Sequence, residues 1–582
     1  MPEYRSMFRP VLPMSPPRSN LIGLAALRLP LAVKLAPLVC AIVSGCGGGF
    51  SHPGSGSSGG GSPVSTQVSG ANPASTPPCS SAVAGSGETF TAGAGIQPQV
   101  TVIPGGNVVG VWEQDRWSGG PNSAPSGGLG ARAIATAHSS DGGSTWSTPV
   151  VLPFSMCAGG TGPGATYDRA SDPWLTFAAN GVVVASALAL SATGTAFGSA
   201  SAGGLSAVLA SRSTDGGKTW STPFAVIQDS NPTGSAAFFF NDRDSITADT
   251  AGNVYLVWDR LSTGVNASMP AYLALSKDSG QSWTTGVLYD PGAGNEAFNN
   301  EIAILPSGAV LDFFSLLDLA TGTSTLQVVG VTVSGTTWST PSPPVMVATI
   351  QSVGTKNPIP NGTAIRASSL IAQIAVDPAT GAVAAVWQQL FGSSSSDGIA
   401  LSISTDGGTT WSTPKQVNGA AAAAAFSPTV RYLPGSVLAL TYYDLRDYAT
   451  GSTVLNTDVW LSESNDNGGT WHELRIQGPF DLNSAPLALN NMSSGFTSST
   501  ALFLGDNQGL GLVGSNPLPL AAATTSAGAR VYATLSPSPL TSPGAHIYAA
   551  AAARPVAAAA AARARATVLG LRGRYAAGSG SQ

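Results

Sequence analysis

The sequence is poor in charge and in histidine. Only 9% of its 582 residues are Asp, Glu, Lys or Arg, and only four are histidine. His52, His138, His472 and His546 are scattered, without the spacing of a zinc site. Residues 47–537 carry 29 acidic and 15 basic residues, so their net charge is 15 − 29 = −14. This balance argues against nucleic acid as a partner.

Helical patterns are also scarce. The middle of the chain has no amphipathic stretch of useful helical length, whereas Gly occurs 71 times and Pro 42 times. Such a composition is typical of proteins built from short strands joined by tight turns. The sequence therefore predicts an all-β protein.

What the chain does contain is one octapeptide in five near-copies. Each copy follows an alternating strand, carries an Asp with a Gly two residues later, and ends in Trp. The copies are Ser139–Trp146, Ser213–Trp220, Ser276–Trp283, Ser404–Trp411 and Ser464–Trp471. A sixth, degenerate copy ends in Trp338 and has Val333 in place of the aspartate. Repeats at this spacing predict an array of similar units.

Turn chemistry accounts for every residue type in the octapeptide. An Asp before a Gly-containing turn accepts backbone N–H bonds, the Gly adopts a positive φ, and the Trp covers the turn. A catalytic or metal-binding set of aspartates is the alternative. We interpret the aspartates as structural residues that each close their own hairpin: Asp141, Asp215, Asp278, Asp406 and Asp466.

These octapeptides resemble the Asp-box, or BNR, repeats of the sialidase superfamily, and the resemblance covers about Glu88 to Leu535. It implies a β-propeller of four-stranded blades, with the Asp boxes in turns between outer strands, away from the active site. A recurring pattern of paired apolar strands favours seven blades, with six, as in sialidases, as the alternative. Glu88–Ala94 is expected to supply the strand that closes the ring.

The N-terminus predicts export. Basic residues and an apolar run precede Val43–Cys46, which resembles a bacterial lipobox; a plain secretory signal is the alternative. A lipidated Cys46 would anchor the protein in the bacterial cell envelope, with Gly47 pointing to the outer membrane and a periplasmic or surface-exposed position. Two cysteines would then remain, Cys79 and Cys157, which form either a disulfide or two free thiols.

Composition divides the chain into four parts. The tether and the tail are expected to lack packed structure, because they are rich in Gly, Ser and Pro or in Ala and Arg. The predicted parts are an export signal with lipobox at 1–46, a tether at 47–85, the propeller at 86–537 and a low-complexity tail at 538–582.

The catalytic groups of a sialidase are largely missing at the matching positions. The resemblance implies three substrate-binding arginines, a Tyr nucleophile with its Glu, and an acid/base Asp. Val102–Pro104 stands where an Arg-Ile-Pro is expected, and Phe426 replaces the tyrosine. No Arg occurs in Asp312–Ser315, and no Asp lies between Arg116 and the first box. These departures argue against sialoside hydrolysis.

Propeller geometry indicates another place for a site. Loops entering first strands and leaving second strands share the face opposite the boxes, and several of the rare charged residues fall there. They either cap strands and join blades through ion pairs, or line a polar mouth that binds sugar hydroxyls or Ca²⁺; no other cofactor is expected. The candidate ligand-binding residues are Asp172, Asp244, Arg260, Glu301, Asp444, Arg446 and Asp506.

The sequence thus predicts a monomeric, lipid-anchored, exported propeller that binds glycans or another cell-surface ligand without hydrolysis. An exo-α-sialidase or other glycoside hydrolase with a divergent site is one alternative. A structural or assembly protein of the envelope is another. An arginine triad that converges in space with a Tyr–Glu pair would favour the hydrolase. We further expect five of the candidate residues to line one central cavity: Asp172, Asp244, Arg260, Asp444 and Arg446.

Overall fold

The computed structural model describes residues 62–70, 89–118, 130–191, 204–231, 239–262, 268–489, 500–552 and 556. The predicted export signal, Cys46 and most of the predicted tether lie outside these ranges. Within them the protein is all-β, as predicted, with antiparallel sheets and four short 3₁₀ helices at Met156–Ala158, Gly162–Thr166, Leu482–Ser484 and Pro539–Thr541.

No helix in the described ranges has the length and hydropathy needed to span a membrane.

Strand pairing groups the chain into four-stranded antiparallel units, numbered here along the sequence. Unit 1 consists of Gly95–Ile103, Asn107–Ser118, Ala131–Ser139 and Val150–Leu152. Unit 2 consists of Arg169–Ala178, Val182–Ser191, Gly204–Ser213 and Phe224–Asn231. Unit 3 consists of Phe239–Ala248, Val254–Ser262, Ala271–Ser276 and Thr284–Tyr289. Unit 4 consists of Asn295–Ile304, Val310–Asp318, Thr323–Val331 and Val345–Thr349. Unit 5 consists of Ala372–Val376, Val383–Gln389, Gly398–Ser404 and Lys415–Gln416. Unit 6 consists of Ala425–Leu433, Val437–Asp444, Asn456–Ser464 and Thr470–Asp481. Unit 7 is Gly509–Val513, Asn516–Thr525, Gly528–Leu535 and Val64–Gln67.

Shorter strands complete the pairing. Thr89–Phe90 pairs with the end of the second strand of unit 1. A two-stranded hairpin, Val333–Ser334 with Thr337–Trp338, occupies the place of the degenerate octapeptide. Ala364–Ile365, Leu487–Leu489 and Thr500–Leu502 form a small mixed sheet.

The units follow one another in a cycle of contacts. The first strand of each unit contacts the first strand of the next, and the first strand of unit 7 contacts that of unit 1. Units 1 and 2 share one hydrogen-bonded sheet through the pairing of Ala131 with Ala170. Within the described residues no sheet closes on itself, so the other units of the cycle meet as separate sheets.

An apolar cluster fills the space between each pair of neighbouring units. Both faces of the inner strands are therefore buried, which explains why Val182–Leu190 is apolar at almost every position instead of alternating. In unit 1, Val109 and Val111 face unit 2, whereas Val108 and Trp112 face unit 7. Each such fully buried side chain contributes about 1.5–3 kcal/mol.

The strand that completes unit 7 differs from the expectation. Val64–Gln67 pairs antiparallel with Gly528–Leu535, whereas Glu88–Ala94 was expected there. Val68, only 2% exposed, enters the cluster between units 7 and 1, and the Val531 N–H donates to the Ser69 hydroxyl at 2.9 Å. Strand pairing of Val64–Gln67, followed by the buried Val68 and Ser69, thus overrides the linker-like composition around it.

The start of the predicted tail is also ordered, contrary to the expectation that no strand pattern continues past residue 537. His546–Ala549 pairs with Thr470–Glu473 at the outer edge of unit 6, and Ala551–Ala552 pairs with Lys415–Gln416 of unit 5. This segment covers two sheet edges, which would otherwise expose unpaired backbone groups.

The octapeptide turns join the third and fourth strands of units 1, 2, 3, 5 and 6, as the resemblance implies. In unit 2 the Thr219 N–H and hydroxyl donate to Asp215 Oδ1 and Oδ2 at 3.0 and 2.6 Å. Ser213 also donates to Asp215 and accepts from the Gly217 N–H, each at 2.8 Å. Gly217 has φ 89°, as expected for a turn glycine.

The structure describes one of the two cysteines expected to form a disulfide. Cys157 is buried and disulfide-bonded. Its expected partner, Cys79, lies outside the described residues.

Candidate functional site

β-Bulges repeat at the same place in five first strands, where each strand enters its sheet. The register shifts after Ile96, Ser171, Asp242, Phe298 and Phe426. The next residue in each case has left-handed φ, between 47° and 59°, although none is glycine: Gln97, Asp172, Arg243, Asn299 and Ser427. Non-glycine residues adopt this conformation rarely, and bulges redirect side chains. The bulges therefore aim polar side chains at the region where the first strands meet.

Side chains at the ends of second strands hold the bulges of the following units. Glu113 Oε1 accepts from the Ser171 hydroxyl at 2.7 Å and from the Asp172 N–H at 3.3 Å. Asp259 accepts from the Asn299 N–H at 3.0 Å, and Gln388 accepts from the Ser427 N–H at 3.2 Å. Because each bond crosses from one unit to the next, these groups join units, which was one of the two alternatives for the charged residues.

Two arginines converge on one buried carboxylate near the bulges. Arg243 and Arg366 each bind Asp506 Oδ2, at 2.6 and 2.7 Å. Arg243 also lies 3.8 Å from Asp172, which accepts a hydrogen bond from Gln97. Burial alone would raise the pKa of Asp506, but the two guanidinium groups outweigh it and hold that pKa at about 2. We call Asp172, Arg243, Arg366 and Asp506 the hub cluster.

A third arginine lies beside the hub cluster. The guanidinium of Arg116 is 5.1 Å from the centre of the Phe503 ring, and that of Arg366 is 4.3 Å from the same ring. Arg116 binds Glu113 at 2.7 Å. All three arginines thus have internal carboxylates as counterions.

A small cavity adjoins the hub cluster, lined by Asp172, Arg243, Asp244, Asn300, Glu301 and Gln373 among others. Its volume of about 10 Å³ is enough for one water molecule or ion, and not for a sugar ring. Burial raises the pKa of Asp244 well above its usual range. Burial also raises the pKa of Glu301 to about 8, despite a bond from the Ile374 N–H.

The structure divides the predicted ligand-binding residues among three places. Asp172, Asp244 and Glu301 line the small cavity, and Asp506 is tied to it through Arg243. Arg260 is elsewhere: it binds Asp229 of unit 2 at 2.5 Å and lies over the Phe239 ring. The expectation that Arg260, Asp444 and Arg446 share one cavity with Asp172 and Asp244 is therefore wrong.

Asp444 and Arg446 belong to a group within unit 6, which links the end of its second strand to its third and fourth strands. Arg446 binds Asp444 at 2.5 Å and Glu473 at 2.6 Å, and its guanidinium lies 3.6 Å from the Trp460 ring centre. Tyr442 donates a hydrogen bond to Glu473. In the part of the chain that the structure describes, this Tyr–Glu pair does not meet the central arginines. Ring packing at the centre instead involves Phe426, which stacks on Tyr443.

A larger cavity of about 590 Å³ is formed by residues 353–369, in the segment that leads from unit 4 to unit 5. Thr355 and Ser369 line it and are 6% and 2% exposed. Their hydroxyl oxygens are buried and have no hydrogen-bond partner among the described residues. Asp397 holds the segment by accepting from the Val353 and Gly354 N–H groups, each at 3.0 Å. We call this the loop cavity.

Sequence reasoning missed Arg366, Asn300 and the loop cavity. Arg243 stands inside a run of charged residues, Asp242–Asp244, which the sequence places at the entry to the third unit, and of this run only Asp244 was expected to bind a ligand. The two hydroxyls of the loop cavity carry no comparable signal, because serine and threonine are frequent throughout the chain. Among the described residues, no group of three or more His, Cys, Asp or Glu side chains is placed to hold a metal.

No protein-family model matches the sequence, and no curated protein matches it. The chain is similar to a solved Hadza microbial sialidase, with 14% identity, 77% of this chain and 66% of that chain covered, and a TM-score of 0.39. It is also similar to the NanB sialidase of Streptococcus pneumoniae, with 13% identity, 76% and 94% covered, and a TM-score of 0.39. It is similar, too, to a Penicillium chrysogenum α-L-arabinanase complexed with arabinobiose, with 11% identity, 77% of this chain and 96% of that chain covered, and a TM-score of 0.38. The chain spans just under two thirds of the length of the first of these.

Proposed function

We propose that this chain is an exported, lipid-anchored β-propeller of seven blades that binds a carbohydrate without hydrolysing it. The cycle of contacts between seven four-stranded units supports the propeller. The Asp boxes support the likeness to the sialidase superfamily, and Val43–Cys46 supports the anchor in the bacterial envelope.

The proposal that the protein does not hydrolyse its ligand rests on one observation: carboxylates of the protein itself neutralise the central arginines. Arg243 and Arg366 share Asp506, and Arg116 binds Glu113. A sialoside carboxylate would have to displace these buried carboxylates, and breaking a buried ion pair costs about 3–5 kcal/mol. The guanidinium groups therefore serve the fold and are not open to an anionic substrate.

The loop cavity is the proposed binding site. Its volume of about 590 Å³ suits a small ligand. The Thr355 and Ser369 hydroxyls can each donate and accept a hydrogen bond, as sugar hydroxyls require. Ile359 and Ile365 line it too and provide an apolar surface for the C–H groups of a sugar ring.

A binding experiment tests this proposal. The purified protein is applied to a glycan array, and the best glycan is titrated by calorimetry against wild type, Thr355→Val and Ser369→Val. We expect each variant to bind at least about tenfold more weakly, because each loses a hydrogen bond to a buried group. Thr349→Val, in an exposed position on the neighbouring strand, is the matched control and should bind as wild type does.

Activity assays complete the test. Sialyl-lactose and a panel of fluorogenic glycosides should yield no free sugar. Turnover of a sialoside would contradict the proposal and favour the sialidase alternative, and turnover of another glycoside would favour a different hydrolase. Failure to bind any glycan would leave the envelope structural role as the better explanation.

A further inference from the structure

The small cavity beside the hub cluster presents an unusual number of oxygens that lack partners. Among the described residues, Asp244 Oδ1 and Oδ2, Glu301 Oε2 and Asn300 Oδ1 have no hydrogen bond of normal geometry. The three residues are 2%, 8% and 3% exposed, and all three line the cavity. A buried oxygen without a partner costs free energy comparable to a lost hydrogen bond or more. The Ser186 hydroxyl also acts on Asp244 and lowers its pKa, against the larger effect of burial. Four such oxygens around one cavity offer ligands to a positive group.

The hydrogen bonds that the Asn300 side chain donates determine which way its amide group points. Its amide Nδ2 donates to Asp259 and to the Ala297 carbonyl. The Oδ1 atom is therefore the free end of the amide, and it can act only as an acceptor. Asn300 thus offers a carbonyl oxygen beside the two carboxyl groups.

The surrounding charges leave these two carboxyl groups without a counterion. Arg243 and Arg366 both bind Asp506, and Arg243 lies 3.8 Å from Asp172, so the two positive and two negative charges of the hub cluster balance each other. If Asp244 and Glu301 ionise, they add a charge of −2 that the hub cluster does not neutralise. A single divalent cation would balance it.

We propose that this cavity binds one Ca²⁺ ion, with Asp244, Glu301 and Asn300 as ligands. All four free oxygens belong to carboxyl or amide groups, which are the ligands that Ca²⁺ prefers. Zn²⁺ favours His and Cys, neither of which lines the cavity. Mg²⁺ requires near-ideal octahedral geometry, whereas Ca²⁺ accepts irregular arrangements of carboxylate and amide oxygens.

The bound ion would connect three consecutive units. Asp244 lies in the bulge of unit 3, and Asn300 and Glu301 follow the bulge residue of unit 4. Glu301 Oε1 accepts from the Ile374 N–H of unit 5 at 3.2 Å. Calcium should therefore stabilise the folded ring, independently of whether a carbohydrate binds.

Thermal unfolding of the purified protein, with EDTA or with increasing Ca²⁺, tests the site. We expect Ca²⁺ to raise the Tm in a saturable manner, and Asp244→Asn and Glu301→Gln to abolish that rise or weaken Ca²⁺ binding by more than about tenfold. Asp312→Asn is the matched control. Asp312 is also buried and has no hydrogen-bond partner among the described residues, but it does not line the cavity. This variant should keep the full response to Ca²⁺.

Terbium luminescence gives a second measurement that does not require the variants to fold equally well. Trp174 lines the cavity and should sensitise a bound Tb³⁺ ion, which Ca²⁺ then displaces. Trp174→Phe should lose the luminescence and keep the Ca²⁺-dependent rise in Tm. Absence of both luminescence and a Tm shift in wild type at millimolar Ca²⁺ would overturn the proposal. So would a Ca²⁺ response lost in Asp312→Asn and kept in Asp244→Asn.

Discussion

At the scale of residues, short polar side chains hold left-handed backbone at both ends of the sheets. At one end, the octapeptide aspartates bind the turn residues that follow them. At the other end, Glu113, Asp259 and Gln388 bind the bulges of the neighbouring units. The first kind of contact is local and the second joins units. An aspartate of the first kind should therefore affect stability and not ligand binding.

Asp215→Ala tests this assignment. Because the turn is exposed, water replaces part of the lost bonding, and we expect a loss of about 1 kcal/mol in the free energy of unfolding. Lys218→Ala, an exposed change in the same turn, should have little effect. Chemical denaturation measures both. A variant of unchanged stability that no longer binds its ligand would contradict a purely structural role.

The effect of Asp215 should depend on pH. Slight burial would raise its pKa, but bonds from Thr219, Ser213 and Lys218 outweigh it and lower the pKa from 3.8 to about 2. A carboxylate with a depressed folded-state pKa stabilises the protein above its unfolded pKa and loses that contribution as the pH falls. The stability difference between wild type and Asp215→Ala should therefore shrink between about pH 4 and pH 2.

At the scale of elements, two segments outside the expected propeller range complete its sheets. Val64–Gln67 supplies the fourth strand of unit 7, and His546–Ala549 adds a strand to unit 6. The first of these pairs strands from the two ends of the described chain. It should therefore matter for the stability of the whole array.

Val68→Asp tests the closing strand. The change places a carboxylate without a partner in the cluster between units 7 and 1, which should cost about 2–4 kcal/mol. Val64→Asp, at a position that is 61% exposed on the same strand, is the control and should be close to neutral. A lower Tm and faster proteolysis near the strand are expected for Val68→Asp alone. Equal behaviour of both variants would mean that the strand contributes little.

At the scale of the whole molecule, stability is distributed around the cycle. Each interface between neighbouring units has its own apolar cluster. The hub cluster, the small cavity and the contacts of Arg446 with Asp444 and Glu473 in unit 6 add polar links. No single core dominates the described residues, so binding sites can lie in connecting segments, such as the loop cavity, without disturbing the sheets. The proposed attachment of the molecule to the envelope depends on Cys46.

Cys46→Ser tests the proposed lipid anchor. Without the thiol no diacylglyceryl group can be attached, and we expect the protein to move from the membrane fraction to the soluble fraction. Labelled fatty acid should enter wild type and not the variant. Cys40→Ser, in the part of the signal expected to be removed, is the control and should leave both results unchanged. Membrane association of an unlabelled Cys46→Ser protein would show that another part of the chain holds it there.

Local chemistry in the sequence was sufficient to predict the octapeptide turns. An Asp, a Gly and a Trp at fixed spacing determine a turn without distant partners, and the all-β class follows from the strands between such turns. The closing strand could not be found in this way, because Val64–Gln67 stands in a Gly- and Ser-rich stretch. It owes its conformation to pairing with Gly528–Leu535 and to the burial of Val68, which follows it, between units 7 and 1.

Charged positions at strand ends could also be recognised from the sequence, but their grouping was decided by the tertiary structure. Arg366 binds Asp506, which lies 140 residues away in the sequence. Arg446 instead forms an ion pair with Glu473 of its own unit. Bulges that insert one extra residue interrupt the strict alternation of side chains, so the face on which a residue emerges cannot be counted along the strand. For that reason the sequence indicated which residues carry polar chemistry, whereas only the packed array brought Asp244, Asn300 and Glu301 to one cavity and separated them from Arg260 and Asp444.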